Sequence, residues 1–311
     1  MSEFEYQPSH YVPFRDTEVL ERVRRIRRED MAKHPNPDFQ IKILKADEIE
    51  FIWIVDMFHR IKTAAEEGRQ VVLILPNPNT RYRKVAHLIN KFRVDCRHVH
   101  AFAMDEYANE QGVIAPETWP LGFVYAMKQN FYQQIDQELR PPEDQIVGPT
   151  NENMAAYGRM IEDLGGADIC YSGPGWTGHL AFIEPDAPEF QADSVEEWKK
   201  MGPRIVTLSP YTLAQNSLHG SFGASGDIAL VPPKAFTIGP AEVIASRHRV
   251  DNHSLTIAGT ATSWQRLMTR LVVHGPVTPL LPTSLNQTLR TDCYISEAIA
   301  QDIAPDWDKG Y

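Results

Sequence analysis

Hydrophobic residues along the chain fall in short continuous runs that alternate with longer amphipathic segments. Continuous runs are typical of strands buried on both faces, and they predict strands at 41–44, 71–75, 99–104, 168–171, 205–208, 235–238 and 255–258. Apolar positions at helical spacing predict helices at 47–68, 84–92, 123–137, 154–164 and 262–272. This alternation predicts an α/β fold with helices on both faces of the sheet.

The pattern divides the chain into three parts. Residues 1–38 are predicted to form an N-terminal helical extension, because 16–34 carries many charges and one narrow apolar stripe before the break at Pro35 and Pro37. The stripe consists of Val19, Leu20, Val23 and Ile26. Residues 39–300 are predicted to form a single α/β domain with a mainly parallel, Rossmann-like sheet, and residues 301–311 a C-terminal tail. We expect deletion of residues 1–38 to reduce the stability or the assembly of the protein and to leave catalytic turnover in place.

Composition narrows the class of protein. Hydrophobic residues make up 42% and charged residues 23% of the 311 positions, as in soluble globular proteins. A net charge of −10 argues against nonspecific nucleic-acid binding, which needs a basic face. The three cysteines are far apart, in no metal-ligand spacing, and suit a reducing cytoplasm. We therefore expect a cytoplasmic protein that binds a small molecule. We expect no metal and no membrane or nucleic acid as partner, and whether the chain forms a homo-oligomer stays open.

Ligands of parallel sheets collect at the carboxyl ends of the strands, and three segments there carry candidate chemistry. The first reads PNPNTRYRK and follows the strand at 71–75. Pro76 and Pro78 have no amide hydrogen to donate, so an anion would have to be bound by side chains such as Thr80, Arg81 and Arg83. A stiff turn with solvated arginines is an equally good interpretation.

The second segment places two acids directly after an apolar strand. Asp105 and Glu106, followed by Tyr107, are unfavourable for the strand itself and therefore indicate a site at its tip. The alternative is a solvated acidic turn.

The third segment, 171–185, reads YSGPGWTGHLAFIEP. Its glycines allow a tight turn and a close approach to a ligand. His179, with Glu184 five residues later, is a candidate proton-transfer pair. The aromatic ring of Trp176 either stacks on a ligand or packs in the protein. The alternative is a turn with a surface histidine.

Together these motifs resemble the glucosamine-6-phosphate deaminase family, within the wider group that includes the 6-phosphogluconolactonases. The resemblance runs from about residue 39 to about residue 300. It is carried by Met104-Asp105-Glu106-Tyr107, by Gly173-x-Gly175-x-x-Gly178-His179-x-Ala181-Phe182-x-Glu184-Pro185 and by Thr212-x-x-x-Asn216-Ser217.

The resemblance implies a cofactor-free aldose–ketose isomerisation coupled to loss of ammonia. Asp105 would move a proton between C2 and C1, and His179, oriented by Glu184, would assist opening of the sugar ring. The expected substrate-binding residues are Asn77, Asn79, Thr80, Arg81, Glu106, Tyr107, Gly175, Trp176, Thr177 and Gly178.

Four departures from the family affect this expectation. Thr177 stands where the family has an aspartate, and Asn77-Pro78-Asn79-Thr80 replaces its Thr/Ser-Gly-Gly-Thr phosphate loop. Leu218 stands in place of a phosphate-binding arginine, and Thr262, three residues after Gly259, in place of a lysine. Because phosphate contacts of this kind are charge-assisted, we expect glucosamine 6-phosphate to be a poor substrate.

Two functions stay open on the sequence. The first is an active enzyme whose sugar is unphosphorylated, carries a carboxylate, or carries a phosphate held by Arg81, Arg83 or Arg266. The second is a catalytically weakened sugar-binding or regulatory protein. The presence of Asp105, Glu106, His179 and Glu184 favours the enzyme.

Overall fold

The computed structural model describes residues 6–257 and 260–307, in which ten strands form two sheets. Seven strands form a parallel sheet of order β1-β10-β9-β6-β2-β3-β5. They are β1 (Phe39–Leu44), β2 (Val71–Leu75), β3 (Val99–Ala103), β5 (Ile146–Val147), β6 (Ile169–Ser172), β9 (Arg249–His253) and β10 (Thr291–Ser296). A small antiparallel sheet of order β4-β8-β7 consists of β4 (Asp105–Ala108), β7 (Arg204–Thr207) and β8 (Lys234–Thr237).

Helices cover both faces of the parallel sheet. They are α1 (Thr17–Arg24), α2 (Ala46–Glu67), α3 (Tyr82–Phe92), α4 (Phe123–Asn130), α5 (Tyr157–Asp163), α6 (Val195–Trp198), α7 (Pro210–Asn216), α8 (Pro240–Ala245), α9 (Gln265–His274) and α10 (Glu297–Ala300). Within the described residues, the helices are too short or too polar to cross a membrane.

Strand β2 shows why the sheet is buried on both faces. Its residues Val71, Leu73 and Leu75 pack in one hydrophobic core with α2 and α3, whereas Val72 and Ile74 pack in the core on the opposite face. Successive side chains of a strand point to opposite faces, so a continuous apolar run satisfies two cores at once. The predicted α/β class with a mainly parallel sheet is confirmed.

The strands predicted at 205–208 and 235–238 are β7 and β8, which belong to the small sheet instead of the parallel one. The chain leaves β3 at Met104, and Asp105 then pairs with Thr237 of β8, which also pairs with β7. The segment after β3 is therefore a strand and not a solvated acidic turn, because Asp105 and Glu106 lie buried within β4. Antiparallel pairing with β8 fixes their backbone more firmly than a loop would.

The strand predicted at 255–258 is also wrong over the residues that the structure describes. Leu255 and Ile257 are about half exposed and lie outside the strands, while Ala258 lies outside the described residues. The strand of this region is β9. It was not predicted because its buried positions include the polar residues Asp251 and His253, which interrupt the apolar pattern. The helix predicted at 123–137 ends at Asn130 and is followed by single 3₁₀ turns.

Helix α1 is much shorter than the predicted segment 16–34. It ends at Arg24, and the following turns bury Met31 against the same core as α9. The guanidinium of Arg270 on α9 donates a hydrogen bond to the carbonyl of Ile26 (3.1 Å). Arg27 forms an ion pair with Asp302 (2.6 Å), which connects both ends of the chain. The boundaries at 38 and 300 stay predictions, and residues 1–5 and 308–311 lie outside the described parts.

Candidate active site

A cavity of about 840 Å³ opens at the carboxyl edge of the parallel sheet. The segments that follow β2, β3 and β6 all contribute to it, as expected for this kind of sheet. The predicted site residues among its lining are Asn77, Asn79, Thr80, Arg81, Asp105, Gly175 and His179.

Asp105 is the buried acid of this cavity. Its side chain is almost fully enclosed, and in the described part of the chain its Oδ1 atom has no hydrogen-bond partner. Burial, and then the negative charge of Glu106, raise the pKa of the Asp105 carboxyl well above its ordinary value. A carboxylate with a raised pKa is a stronger base, so Asp105 is suited to accept a proton from a bound ligand.

Glu106 and Tyr107 point into the protein instead. The Glu106 carboxylate accepts hydrogen bonds from the backbone N–H groups of Tyr107 (2.8 Å), Phe123 (3.0 Å) and Val124 (2.7 Å). Burial raises the pKa of Glu106 to about 7, although these three hydrogen bonds oppose the shift. The Tyr107 hydroxyl accepts from the side-chain amide of Asn216 (3.0 Å). We therefore reinterpret the two residues as supports of the site: Glu106 holds the N-terminus of α4.

The glycines of 173–178 are required by the histidine that follows them. A Cβ atom on Gly175 would lie 1.9 Å from Nε2 of His179, so the ring can occupy its place only because residue 175 has no side chain. Gly178 has a φ of 83°, in the left-handed region that favours glycine. Local backbone geometry therefore fixes where the imidazole lies.

His179 belongs to a compact hydrogen-bonded group. Its Nδ1 lies 3.1 Å from the hydroxyls of both Thr177 and Thr212, and 3.4 Å from Oε2 of Glu184. The Thr177 hydroxyl donates to the same Glu184 oxygen (2.9 Å). Thr177 therefore bridges the histidine and the glutamate at the position where the family it resembles has an aspartate.

Glu184 is held as the negative partner of this group. Burial by itself would raise the pKa of its carboxyl, but the charge of His179 and hydrogen bonds from His179, Thr212 and Thr177 lower the pKa below its ordinary value. The carboxylate can orient the imidazole and stabilise its protonated form.

Trp176 lies on the other side of the same loop. Its ring stacks on that of Trp264 with centroids 5.6 Å apart, and it lines a second cavity of about 770 Å³ together with Thr177. Trp176 therefore packs against Trp264 and is not among the residues that line the Asp105 cavity.

The arginines of the first loop do face the Asp105 cavity. Arg81 and Arg83 both line it, and the Arg81 guanidinium lies 5.8 Å from the centre of the Trp53 ring. Burial lowers the pKa of Arg81. Nε of Arg83 donates to the side-chain carbonyl of Asn130 (2.7 Å). Two cations are thus available at this end of the cavity.

The other positions considered for a phosphate lie elsewhere. Arg266 donates to the backbone carbonyls of Gln301 (3.2 Å) and Asp302 (2.6 Å). Leu218 is 45% exposed, Thr262 is also exposed, and Gly259 lies outside the described residues. Arg266 is therefore occupied with the C-terminal segment.

Several cavity residues were missed by the sequence analysis. Gln215, His219, Ser221 and Asn252 all line the cavity. Gln215 and His219 lie on either side of the Asn216-Ser217 pair that carried part of the resemblance. Their closeness to this motif could have identified them as candidate site residues. Asn252 gave no such signal, because its strand was not predicted.

A buried polar group next to the cavity was also missed. Asp251 accepts hydrogen bonds from Ser172 (3.0 Å) and Asn286 (3.1 Å) and lies 3.0 Å from Nε2 of His253. Sγ of Cys293 approaches Asp251 and His253, with the three potential ligand atoms within 4.8 Å of one another. Strand pairing brings Cys293 beside Asp251, which spacing along the chain could not reveal. Both oxygens of Asp251 and both ring nitrogens of His253 therefore have hydrogen-bond partners within the protein, Thr269 being the partner of Nδ1 of His253.

Comparison with known proteins finds glucosamine-6-phosphate deaminases among the sequence relatives of this chain. The chain is 31% identical over 195 residues to a glucosamine-6-phosphate deaminase of Caenorhabditis elegans, a match that covers 60% of this chain and 65% of that protein. It is 29% identical over 255 residues to the glucosamine-6-phosphate deaminase of Haemophilus influenzae, covering 80% and 83%. The chain is a relative of the glucosamine-6-phosphate deaminases. The resemblance inferred from its motifs is thereby confirmed, although no family model matches the chain.

Solved structures of a glucosamine-6-phosphate deaminase and of 6-phosphogluconolactonases have the same fold as this chain. A monomeric glucosamine-6-phosphate deaminase superposes with a TM-score of 0.66 at 20% identity, covering 84% of this chain and 98% of that one. The 6-phosphogluconolactonase of Trypanosoma cruzi gives a TM-score of 0.58 at 14% identity, covering 88% and 99%.

Proposed function

We propose that this chain catalyses aldose–ketose isomerisation of a sugar or amino sugar, with loss of ammonia when C2 carries an amine. The observation that supports the proposal is one cavity lined by a buried acid of raised pKa, Asp105, and by the hydrogen-bonded His179. The sequence relatives named glucosamine-6-phosphate deaminase support the same class of reaction.

In the proposed reaction Asp105 acts as the base. Its ionised carboxylate takes the proton from C2 of the open-chain aldehyde, the C–H electron pair forms the C1–C2 double bond of an enol-like intermediate, and the aldehyde oxygen gains a proton from solvent. Returning that proton to C1, while the hydroxyl or amine on C2 loses a proton to solvent, leaves a carbonyl at C2, or an imine when C2 carries nitrogen. Water then adds to the imine and ammonia leaves, so an amino sugar and water give a ketose and ammonia.

His179 would act earlier, on the closed ring. Its Nε2 lies against Gly175, which also lines the cavity, while Nδ1 lies close to the hydroxyls of Thr177 and Thr212. The imidazole can pass a proton to the ring oxygen as the anomeric hydroxyl loses one, which opens the sugar. Glu184 would keep the ring oriented while its charge changes.

The far end of the substrate is where this chain is expected to differ. Leu218 and Thr262 are uncharged, so cations near that end come from Arg81 and Arg83 of the first loop. We propose that the pocket accepts a sugar other than glucosamine 6-phosphate as its preferred substrate.

The test is a panel of amino sugars, sugars and their phosphates, assayed for both ammonia and ketose, with Asp105→Asn as the inactive control. We expect turnover of at least one amino sugar by the wild-type chain. Glucosamine 6-phosphate should give kcat/KM below about 10⁴ M⁻¹s⁻¹, the lower end for ordinary enzymes. Binding without any turnover across the panel would favour the sugar-binding or regulatory protein instead.

A further inference from the structure

Unsatisfied polar atoms surround the cavity. Within the described residues, five that line it hold a buried polar atom without a hydrogen-bond partner: Asn77 (Oδ1), Asp105 (Oδ1), His219 (Nδ1), Ser221 (Oγ) and Asn252 (Oδ1). A buried polar atom left unpaired is unfavourable, so these atoms indicate where a ligand supplies hydrogen bonds. Most of them are acceptors, which sugar hydroxyl and amine groups satisfy.

His219 stands out because a rigid turn holds it at this wall. Its backbone N–H donates to Asn216 (2.8 Å), and its carbonyl accepts from Phe222 and Ala224 (both 3.0 Å). The ring lies beside that of Phe123, with centroids 6.3 Å apart. The turn therefore places the imidazole at the cavity wall, which reduces the backbone ordering that binding would otherwise require.

The charge of His219 decides which group it can bind. Burial, and then the charge of His179, lower the pKa of His219 to about 4, so the ring is neutral near pH 7. A neutral imidazole has one hydrogen-bond donor and one acceptor. It matches a hydroxyl, which also has both, and it carries no charge to offset a phosphate dianion.

We propose that His219, with Ser221 beside it, binds an uncharged hydroxyl of the sugar. The proposal rests on the proposed sugar-isomerase function for the class of ligand, and it assigns a substrate-recognition role to a residue outside the acid–base group. Any anionic group of the same ligand would be bound at Arg81 and Arg83, in the loop after β2. The two walls should then act on different groups of one ligand.

The experiment uses two stable open-chain probes that cannot isomerise, glucosaminitol and glucosaminitol 6-phosphate, and measures their Kd for the full-length chain by calorimetry. His219→Phe should weaken binding of both probes by about 10-fold or more, because both carry the hydroxyl. His219→Gln, which keeps a donor and an acceptor, should stay within about 3-fold of wild type. Arg81→Gln should weaken only the phosphorylated probe, by about 10-fold or more.

His87→Phe is the matched control, because His87 is an exposed histidine of α3 away from the cavity, and it should change neither Kd. Ser221→Ala, with a smaller loss on both probes, provides a second variant if His219→Phe does not fold. The proposal is overturned if His219→Phe affects neither probe or only the phosphorylated one, if the glutamine variant is as weak as the phenylalanine variant, or if wild type binds neither probe. Turnover in the ammonia and ketose assay, measured separately, would leave the isomerase function standing in each of those cases.

Discussion

The two ends of the Asp105 cavity differ in how they are built. The histidine end is a hydrogen-bonded group of four side chains, Thr177, His179, Glu184 and Thr212. The imidazole of His179 fits there because Gly175 has no side chain. At the arginine end, Arg81 lies over Trp53 and Arg83 contacts Asn130, in a loop that differs from the phosphate loop of the related family. Proton-transfer chemistry depends on a fixed arrangement, whereas recognition of a substrate's far end can be rebuilt from other side chains. The histidine end should therefore tolerate substitution least.

The largest expected effect is that of removing the base. Asp105→Asn cannot accept the C2 proton, so isomerisation should fall by about 10²–10⁴-fold with the fold intact. Steady-state ketose formation measures the loss, and circular dichroism checks the fold. Turnover within a few-fold of wild type would mean that another group takes the proton.

The next largest effect should come from the residue under the histidine. Because a Cβ on Gly175 would lie 1.9 Å from Nε2 of His179, Gly175→Ala must displace the ring. A shift of about 1 Å in a reacting group can reduce the rate up to 10²-fold, so kcat should drop by about 10–100-fold. Gly202→Ala is the matched control, because its Cβ would meet only Oε1 of Glu242 at an ordinary 3.6 Å. Equal rates for both variants would show that the ring position is unimportant.

A loss of similar size, but one that depends on the substrate, should follow from replacing the histidine itself. His179→Gln should lower turnover of a ring-closed amino sugar by about 10²-fold, but that of a short amino-aldose unable to close a pyranose ring by only a few-fold. The reason is that ring opening is needed only for the first substrate. Equal losses on both substrates would assign His179 another role.

The smallest expected effect concerns stability and changes with pH. The raised pKa of Asp105 means that ionisation favours the unfolded chain, in which the carboxyl has its ordinary pKa of about 3.9. The resulting penalty is absent below that pKa and grows as pH rises toward the folded value. Asp105→Asn removes it, so the variant should gain about 1–3 kcal/mol in free energy of unfolding near pH 8 and less near pH 5.

Urea denaturation at the two pH values measures this difference. Asp193→Asn, at an exposed aspartate, is the control and should show no such gain at either pH. A gain that shrinks as pH rises would contradict the assignment of Asp105 as a buried acid of raised pKa.

Much of the fold and part of the site were present in local sequence patterns. The continuous run of β2, the helix that stops at Gly68 and the glycines before His179 each depend on neighbouring residues, which fix strand burial, helix termination and room for a ring. Parallel strands then bring the segments after β2, β3 and β6 to one edge, so the cavity itself was predictable.

The remaining features depend on contacts between residues far apart in the chain, which no local pattern encodes. Pairing of β4 with β8 turned the Asp105 segment from a loop into a strand, and hydrogen bonds to Phe123 and Val124 turned Glu106 inward. The sequence by itself determined the α/β class and the sheet edge at which the cavity opens, and it named candidate acid–base residues, because these follow from periodicity and backbone sterics. Only the tertiary structure decided which side chains face the cavity, because partners distant in sequence compete for each polar group.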